Sequence, residues 1–242
     1  PFDHTAVEFM ERIGMPAYKV ASYEINDIPL IRKIAKTGKP VIISTGIAYM
    51  EDVERALRVC MEEGNEDVIL LKCTSAYPCP YEDMNLNVIP LMQNTYDCIT
   101  GLSDHTMGSE VAIGAVALGA KVVEKHVTIR RSDGGPDGAF SMEIEEFTDM
   151  ARQIRNVEKA LGRASFELTA AQKSARSGSR SLYVVKDIKQ GEMFTENNIR
   201  SIRPGRGMHT MYYDDVVGKK ASRDLKFATP LGFGDVEWQS GC

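Results

Sequence analysis

Cys98-Ile99-Thr100-Gly101-Leu102-Ser103-Asp104-His105 and, after a helical stretch over 108–119, Val122-Val123-Glu124-Lys125-His126-Val127 are the two segments that decide the fold of this chain. Each is an apolar or β-branched run that turns polar at its end, and each delivers a histidine there. A strand, an amphipathic helix and a second strand in that order read as a right-handed βαβ unit with parallel strands.

The same theme extends back towards the start. Strand-type runs occur at Ala17-Tyr18-Lys19-Val20-Ala21-Ser22, Val41-Ile42-Ile43-Ser44-Thr45 and Val68-Ile69-Leu70-Leu71-Lys72-Cys73-Thr74-Ser75. Helical patterns over 27–37, 51–63 and 85–94 separate them, at a spacing of roughly 25 residues that suits βα units. All five strands end in polar residues: Ser22, Ser44-Thr45, Ser75, Ser103-Asp104-His105 and Glu124-Lys125-His126. A doubly wound sheet gathers its functional residues at one switch point, whereas a (β/α)8 barrel draws them from the C-terminal ends of many strands. The pattern therefore predicts an α/β TIM barrel, with five of its eight βα units visible. About three further units, on the order of 100 residues, are expected before Pro1. The opening Pro1-Phe2-Asp3-His4, without an initiating Met, agrees with that expectation.

A helix is predicted over about 143–161, with Ser141 as its cap, acidic Glu143, Glu145 and Glu146 at its positive end, and Gly162 as its stop. Residues 163–180 are rich in Ser, Ala, Arg and Gly and read as a linker. From Ser181 short β-type runs alternate with turns, among them Arg203-Pro204-Gly205. The expected organisation is a barrel portion over 1–162, a linker over 163–180 and a small β-rich domain over 181–242.

Bulk properties narrow the function. A net charge of −5 gives no global basic footprint for nucleic acid. No apolar run approaches the ~18 residues of a membrane helix, and the start lacks a charged-then-apolar leader. The five cysteines, Cys60, Cys73, Cys79, Cys98 and Cys242, are odd in number and lack CxxC spacing, which reads as reduced thiols in a cytoplasmic protein.

His105 and His126 end adjacent strands, where two neutral imidazoles can converge on one divalent ion and leave positions open for substrate oxygen. They can equally serve only as hydrogen-bond partners of neighbouring strands. Ser103 and Glu124 stand two residues before them and share their face. Glu124 has a second reading, as a salt bridge inside the barrel. Asp104 is a candidate to orient an imidazole. Lys19 and Lys72 interrupt apolar strands, so each either meets an anion at the barrel mouth or extends outward between helices. With Ser22, Ser44, Ser75 and Ser103 around the same rim, an oxyanion site is the stronger reading. The loop Arg130-Arg131-Ser132-Asp133-Gly134-Gly135-Pro136-Asp137 is placed for substrate contacts, and Tyr77-Pro78-Cys79-Pro80-Tyr81 for a rigid wall.

Taken in order, Pro1-Phe2-Asp3, Ala17-Tyr18-Lys19 through Glu24, Ile43-Ser44-Thr45-Gly46, Cys73-Thr74-Ser75 with Tyr77-Pro78, Gly101 through Thr106, Glu124-Lys125-His126, Gly135-Pro136-Asp137 and Arg203-Pro204-Gly205 resemble the sialic acid (nonulosonate) synthase family. The terminal part resembles that family's antifreeze-like SAF (β-clip) domain. Arg131 through Ser141 resembles its pseudaminic acid branch rather than the N-acetylneuraminate or legionaminate branches.

The resemblance implies a transferase that condenses phosphoenolpyruvate with an amino-sugar aldehyde, here a 2,4-diacetamido-2,4,6-trideoxy-hexose. It implies a divalent metal, Mn2+ with Mg2+ or Co2+ as alternatives, on His105 and His126. Lys19, Ser22, Ser44, Ser75 and Ser103 would surround phosphoenolpyruvate, although many relatives carry Asn where Ser75 stands. Glu24 would act near the metal-bound water and the sugar, Tyr77 would belong to the substrate-binding residues, Asp137 would contact sugar hydroxyls, and Arg203 would reach the sugar from the partner's small domain in a domain-swapped homodimer. The family's first barrel strands normally supply another glutamate and lysine, so these residues alone are expected to be inactive. Two rivals stand beside this reading: a metal-dependent aldolase using the same histidines, and a non-catalytic carbohydrate-binding or ice-binding fragment.

Overall fold

The structure is a computed structural model describing residues 1–238. Cys242, one of the five thiols read above, lies outside the described residues. The chain divides into two compact units, one over Pro1–Arg163 and one starting at Ala164.

The first unit is built on five parallel strands in sequential order: β1 (Tyr18–Val20), β2 (Val41–Ser44), β3 (Val68–Lys72), β4 (Ile99–Asp104) and β5 (Val122–Lys125). Their registers place Lys19 beside Ile42, Leu71 beside Gly101, and Ser103 beside Glu124. Because side chains alternate across a strand, this register sorts every residue to one of two faces. Tyr18, Val20, Val41, Ile43, Val68 and Leu70 pack outward against helices α2 (Ile28–Ala35) and α3 (Met50–Glu62). Leu102 does the same against α5 (Glu110–Ala117) and α6 (Ile144–Leu161). Lys19, Ser44, Leu71, Gly101, Ser103 and Glu124 are left on the inner face.

One distance reports the curvature of that inner face. Lys19 Nζ on the first strand lies 3.7 Å from Glu124 Oε1 on the fifth. In a flat sheet these strands would stand about 19 Å apart, four spacings of about 4.8 Å. The two side chains cannot span that gap unaided, so the sheet curls until side chains of its outer strands meet across a common interior, as in a barrel and not in an open doubly wound sheet.

The helices follow local rules. Asp27 accepts a hydrogen bond from Leu30 N (3.0 Å) to cap α2, whose Leu30, Ile31, Ile34 and Ala35 form a single buried stripe. Helix α6 ends at Gly162, in the left-handed region at φ +55. Its start differs from the expectation. Ser141 is buried and its Oγ donates to the Asp137 carbonyl (2.8 Å), while Glu143 is the N-cap residue and its amide is bonded by Glu146 (2.9 Å). A helix before the first strand and another in the linker stretch escaped the sequence reading. Helix α1 (His4–Arg12), capped by Asp3, precedes the first strand, whereas helix α4 (Val88–Thr95) is the one expected from the 85–94 pattern and starts at its fourth position. Within the stretch read as a linker, Thr169 and Gln172 form a reciprocal capping pair for helix α7 (Ala170–Ala175).

The second unit is held by its own apolar core, including Leu182, Val184, Phe194, Ile199, Val216 and Leu231. Its strands β8 (Ser181–Val184) and β9 (Ile199–Ile202) are antiparallel, and isolated bridges such as Met193 to Lys220 and Tyr183 to Pro230 tie the remaining turns together. A short helix, α8 (Tyr213–Val216), completes it. Two further short strands, β6 (Val127–Thr128) and β7 (Met142–Glu143), pair in the first unit and close the loop between them.

Candidate active site

At the carboxyl ends of the strands the inner-face residues converge. His105 follows β4 and His126 follows β5, and their ring centroids are 5.3 Å apart at an interplanar angle of 69°. Two imidazoles that share one cation, each at about 2.1 Å, hold their centroids roughly 5 Å apart. The separation suits a shared divalent ion, with only these two side chains in place: among the described residues no group of three or more His, Cys, Asp or Glu is placed to hold one.

His105 Nδ1 lies 2.9 Å from the Thr74 carbonyl. That contact fixes Nδ1 as the protonated nitrogen and leaves Nε2 as the lone-pair donor, the usual arrangement of a ligating histidine. The orienting group is thus the Thr74 carbonyl rather than Asp104, which points to the helix side. His126 Nδ1 lies 3.6 Å from Asp137 Oδ2. Burial, reinforced by the charge of His105, holds the His126 pKa below its ordinary value, which favours the neutral imidazole. For His105 burial works in the same downward direction, but contacts with the Cys73 sulfur and the Thr74 carbonyl outweigh it and the pKa rises.

Beside the imidazoles lies a set of hydroxyls. Ser103 Oγ donates to Glu124 Oε1 (2.7 Å), and the same carboxylate receives Lys19. Both sequence readings of Glu124 thus meet in one place: it is a salt bridge inside the barrel, and it stands on the histidine face. Ser22 Oγ accepts the Gly46 amide (2.9 Å). Ser44 Oγ, Ser75 Oγ and Glu24 Oε2 are buried and without a hydrogen-bond partner among the described residues. Buried hydroxyls and carboxylates are rarely left unsatisfied, so these atoms, like Thr100 Oγ1 on β4, are completed by water or by a ligand. Gly46 is where the backbone comes closest to this cluster. A Cβ there would stand 2.3 Å from Ser75 Oγ, 2.7 Å from Ser22 Oγ and 2.9 Å from Cys73 Sγ.

An aromatic wall borders the imidazoles. The Tyr77 ring lies 4.1 Å from that of His105 and 5.8 Å from that of His126, and Phe140 lies 5.1 Å from His126. The loop carrying Asp137 and Phe140 is fastened by Glu143, whose Oε1 accepts the Arg131 amide (2.9 Å).

The structure thus gathers Lys19, Ser22, Ser44, Ser75, Tyr77, Ser103, His105, His126 and Asp137 at one end of the sheet. Glu24 sits in the tight turn Ser22–Glu24 after β1 and makes no hydrogen bond or ion pair with them among the described residues. Arg203 lies on an exposed turn of the second unit, after β9. Lys72 takes the outward alternative: it donates to the Cys73 carbonyl and to Thr74 Oγ1 (2.9 Å) beside α3 and α4. Sequence reasoning missed Cys73 and Phe140 as site residues. Cys73 Sγ is 3.9 Å from His105 Nδ1, and although burial opposes it, bonds with His105, Ser22 and Ser103 hold the thiol pKa below its usual value. Its signal was parity, since it stands two residues before Ser75. Phe140 gave none, because its position depends on the path of a loop.

A NeuB-family model matches residues 1–166, and an SAF-domain model matches residues 179–237. The chain belongs to the NeuB family. Among curated NeuB-family relatives, the pseudaminic acid synthase of Campylobacter jejuni (serotype O:2) is 44% identical over 237 residues, covering 98% of this chain and 69% of that protein. The pseudaminic acid synthase of Helicobacter pylori is 42% identical over 238 residues, covering 98% and 70%. Among solved structures, the N-acetylneuraminic acid (sialic acid) synthetase of Leptospira borgpetersenii, in complex with citrate, superposes with a TM-score of 0.69 at 33% identity, over 72% of this chain and 61% of that one. The curled parallel sheet and the following small unit of this NeuB-family chain are therefore a partial TIM barrel with an SAF domain. Among the described residues no helix is long and apolar enough to cross a membrane.

Proposed function

We propose that this protein is a pseudaminic acid synthase, condensing phosphoenolpyruvate with a 2,4-diacetamido-2,4,6-trideoxy-hexose to give pseudaminic acid and phosphate. The observation that carries the proposal is the pair of facing imidazoles beside buried, unpartnered hydroxyls and the Lys19 ammonium. The relatives named above favour the pseudaminic acid product over other nonulosonates.

In this reading His105 and His126 hold a divalent cation, Mn2+ by preference with Mg2+ or Co2+ as substitutes, and that ion supplies Lewis-acid polarisation of the sugar aldehyde. Lys19, Ser22, Ser44, Ser75 and Ser103 hold the phosphate and carboxylate of phosphoenolpyruvate. Tyr77 and Phe140 shield one side of the site from water, and Asp137 takes sugar hydroxyls. Carbon 3 of phosphoenolpyruvate attacks the aldehyde carbon, and positive charge develops at carbon 2. Glu24 takes a proton from the water that adds there and passes it to the former aldehyde oxygen, which ends as a hydroxyl. The tetrahedral product loses phosphate by C–O cleavage, leaving the 2-keto acid. Holding both substrates in line removes up to roughly 7–11 kcal/mol of entropic barrier. The partner subunit's Arg203 completes the sugar site in a domain-swapped homodimer.

The test is turnover by the full-length protein with Mn2+, phosphoenolpyruvate and either the altro-configured diacetamido sugar or N-acetylmannosamine. Phosphate release matched by pseudaminic acid supports the reading, and His105→Ala or His126→Ala abolishes both. Condensation without phosphate release assigns the site to an aldolase, and preference for N-acetylmannosamine assigns it to a different synthase.

A further inference from the structure

Behind the two histidines, on the helix side of the sheet, lies a charged pair with no part in the chemistry above. Lys125 Nζ donates to Asp104 Oδ2 and to the Thr106 carbonyl, both at 2.7 Å. Asp104 Oδ1 accepts the Thr106 amide (2.9 Å) and the Thr106 hydroxyl (2.8 Å). The two side chains are 0% and 2% exposed. Asp104 and Lys125 are direct partners in the β4–β5 register, one step after Ser103 and Glu124. The next residue on each strand is a histidine, His105 and His126.

Two polar clasps therefore sit on opposite faces of the same strand pair just before it ends. Ser103 and Glu124 bond on the inner face, Asp104 and Lys125 on the outer. Beyond this point the ladder stops, so nothing in the sheet itself sets the spacing of the histidines. The outer clasp extends past the last ladder bond, because both Asp104 and Lys125 also grip Thr106, the residue after His105. The chain is thereby held on both sides of His105 and tied to the residue that precedes His126.

A buried ion pair is a poor way to gain stability, since desolvation of the two charges cancels much of their attraction, and apolar replacements are often neutral or better. What such a pair does well is to fix register. We propose that Asp104 and Lys125 are positioning residues that set the separation of His105 and His126 for a shared divalent cation. The inference rests on the metal reading given above.

The experiment compares wild-type full-length protein with Asp104→Asn/Lys125→Met and with Lys125→Arg. The double variant removes both charges, and its Asn keeps an acceptor for the Thr106 amide. Mn2+ affinity is measured by calorimetry and thermal stability by metal-free melting. The double variant should bind Mn2+ about 10- to 100-fold more weakly, the usual effect of losing groups that orient ligands, while melting within a few degrees of wild type. Lys125→Arg, which keeps both charges, should retain most of the wild-type affinity. Equal Mn2+ affinity in wild type and double variant overturns the proposal, as does an affinity loss in the double variant that comes with a collapse of its metal-free stability. Absence of Mn2+ binding in the wild type defeats the metal reading itself, and this inference with it.

Discussion

Replacing Gly46 with alanine puts a methyl carbon into the tightest point of the hydroxyl cluster, 2.3 Å from Ser75 Oγ, 2.7 Å from Ser22 Oγ and 2.9 Å from Cys73 Sγ. Gly46 is not among the glycines in the left-handed region, so the effect is steric rather than conformational. Contacts this short must be relieved. The cheapest relief rotates the two serine hydroxyls away from the site, because both are side-chain ends. Overpacking of this kind costs roughly 1–3 kcal/mol of stability. At about 2–4 °C per kcal/mol for a protein of this size, melting should fall by several degrees. Binding should suffer more selectively. Each charge-assisted hydrogen bond to an anion contributes about 1.5–3 kcal/mol, so displacing even one hydroxyl weakens phosphoenolpyruvate roughly 10- to 100-fold. Calorimetric titration of phosphoenolpyruvate into the full-length Gly46→Ala protein at a temperature well below its melting point reads this directly. If the dissociation constant stays within about two-fold of wild type while melting falls as expected, Ser22 and Ser75 do not hold the anion and the placement of phosphoenolpyruvate is wrong.

Ser44→Ala and Ser75→Ala should separate stability from function, because each removes a buried hydroxyl with no partner among the described residues. Metal-free melting should be unchanged or higher by about 2–4 °C, while the KM for phosphoenolpyruvate rises about ten-fold, and a loss of both would mark the hydroxyls as structural. Away from the site, Glu11 accepts hydrogen bonds from Lys39 (2.6 Å) and from the Tyr18 hydroxyl, and its pKa is lowered by the first and then the second. A carboxylate depressed in the folded state stabilises above its unfolded pKa, about 4.3, and that stabilisation is lost as pH falls through the folded value. Glu11→Gln should therefore lose less stability than wild type between about pH 5 and 3 in urea titrations, and parallel curves for the two proteins would contradict the assignment.

Much of this molecule is legible in the residues because the two-residue period of a strand fixes faces without further information. Ser103 with His105, and Glu124 with His126, could be assigned to one side from spacing alone, and the structure places them there. Spacing does not say which side a lone lysine takes when both sides are crowded. Lys19 and Lys72 have the same pattern, yet Lys19 meets Glu124 across the interior while Lys72 donates to the Cys73 carbonyl and the Thr74 hydroxyl beside the helices. The difference lies in parity relative to the buried residues of each strand, which becomes visible once Tyr18, Val20 and Leu70 are seen to pack outward. Asp104 was misread for a related reason. Its neighbour in sequence is His105, but its partner in the sheet is Lys125, and cross-strand register is not written in either segment alone. Ser141 offered a familiar capping residue, but its hydroxyl donates to the Asp137 carbonyl and Glu143 takes the N-cap position instead. Phe140 reaches the site through tertiary path, which no local period encodes.

The most direct test of the shared-cation claim is anomalous diffraction at the Mn edge from crystals of the full-length protein soaked with Mn2+ and phosphoenolpyruvate. The account predicts one strong peak about 2 Å from a nitrogen of both His105 and His126, with the phosphoenolpyruvate anion bonded by Ser44 and Ser75. A peak bound by one imidazole alone, or Mn2+ lodged elsewhere while these two rings stay unligated, would contradict it.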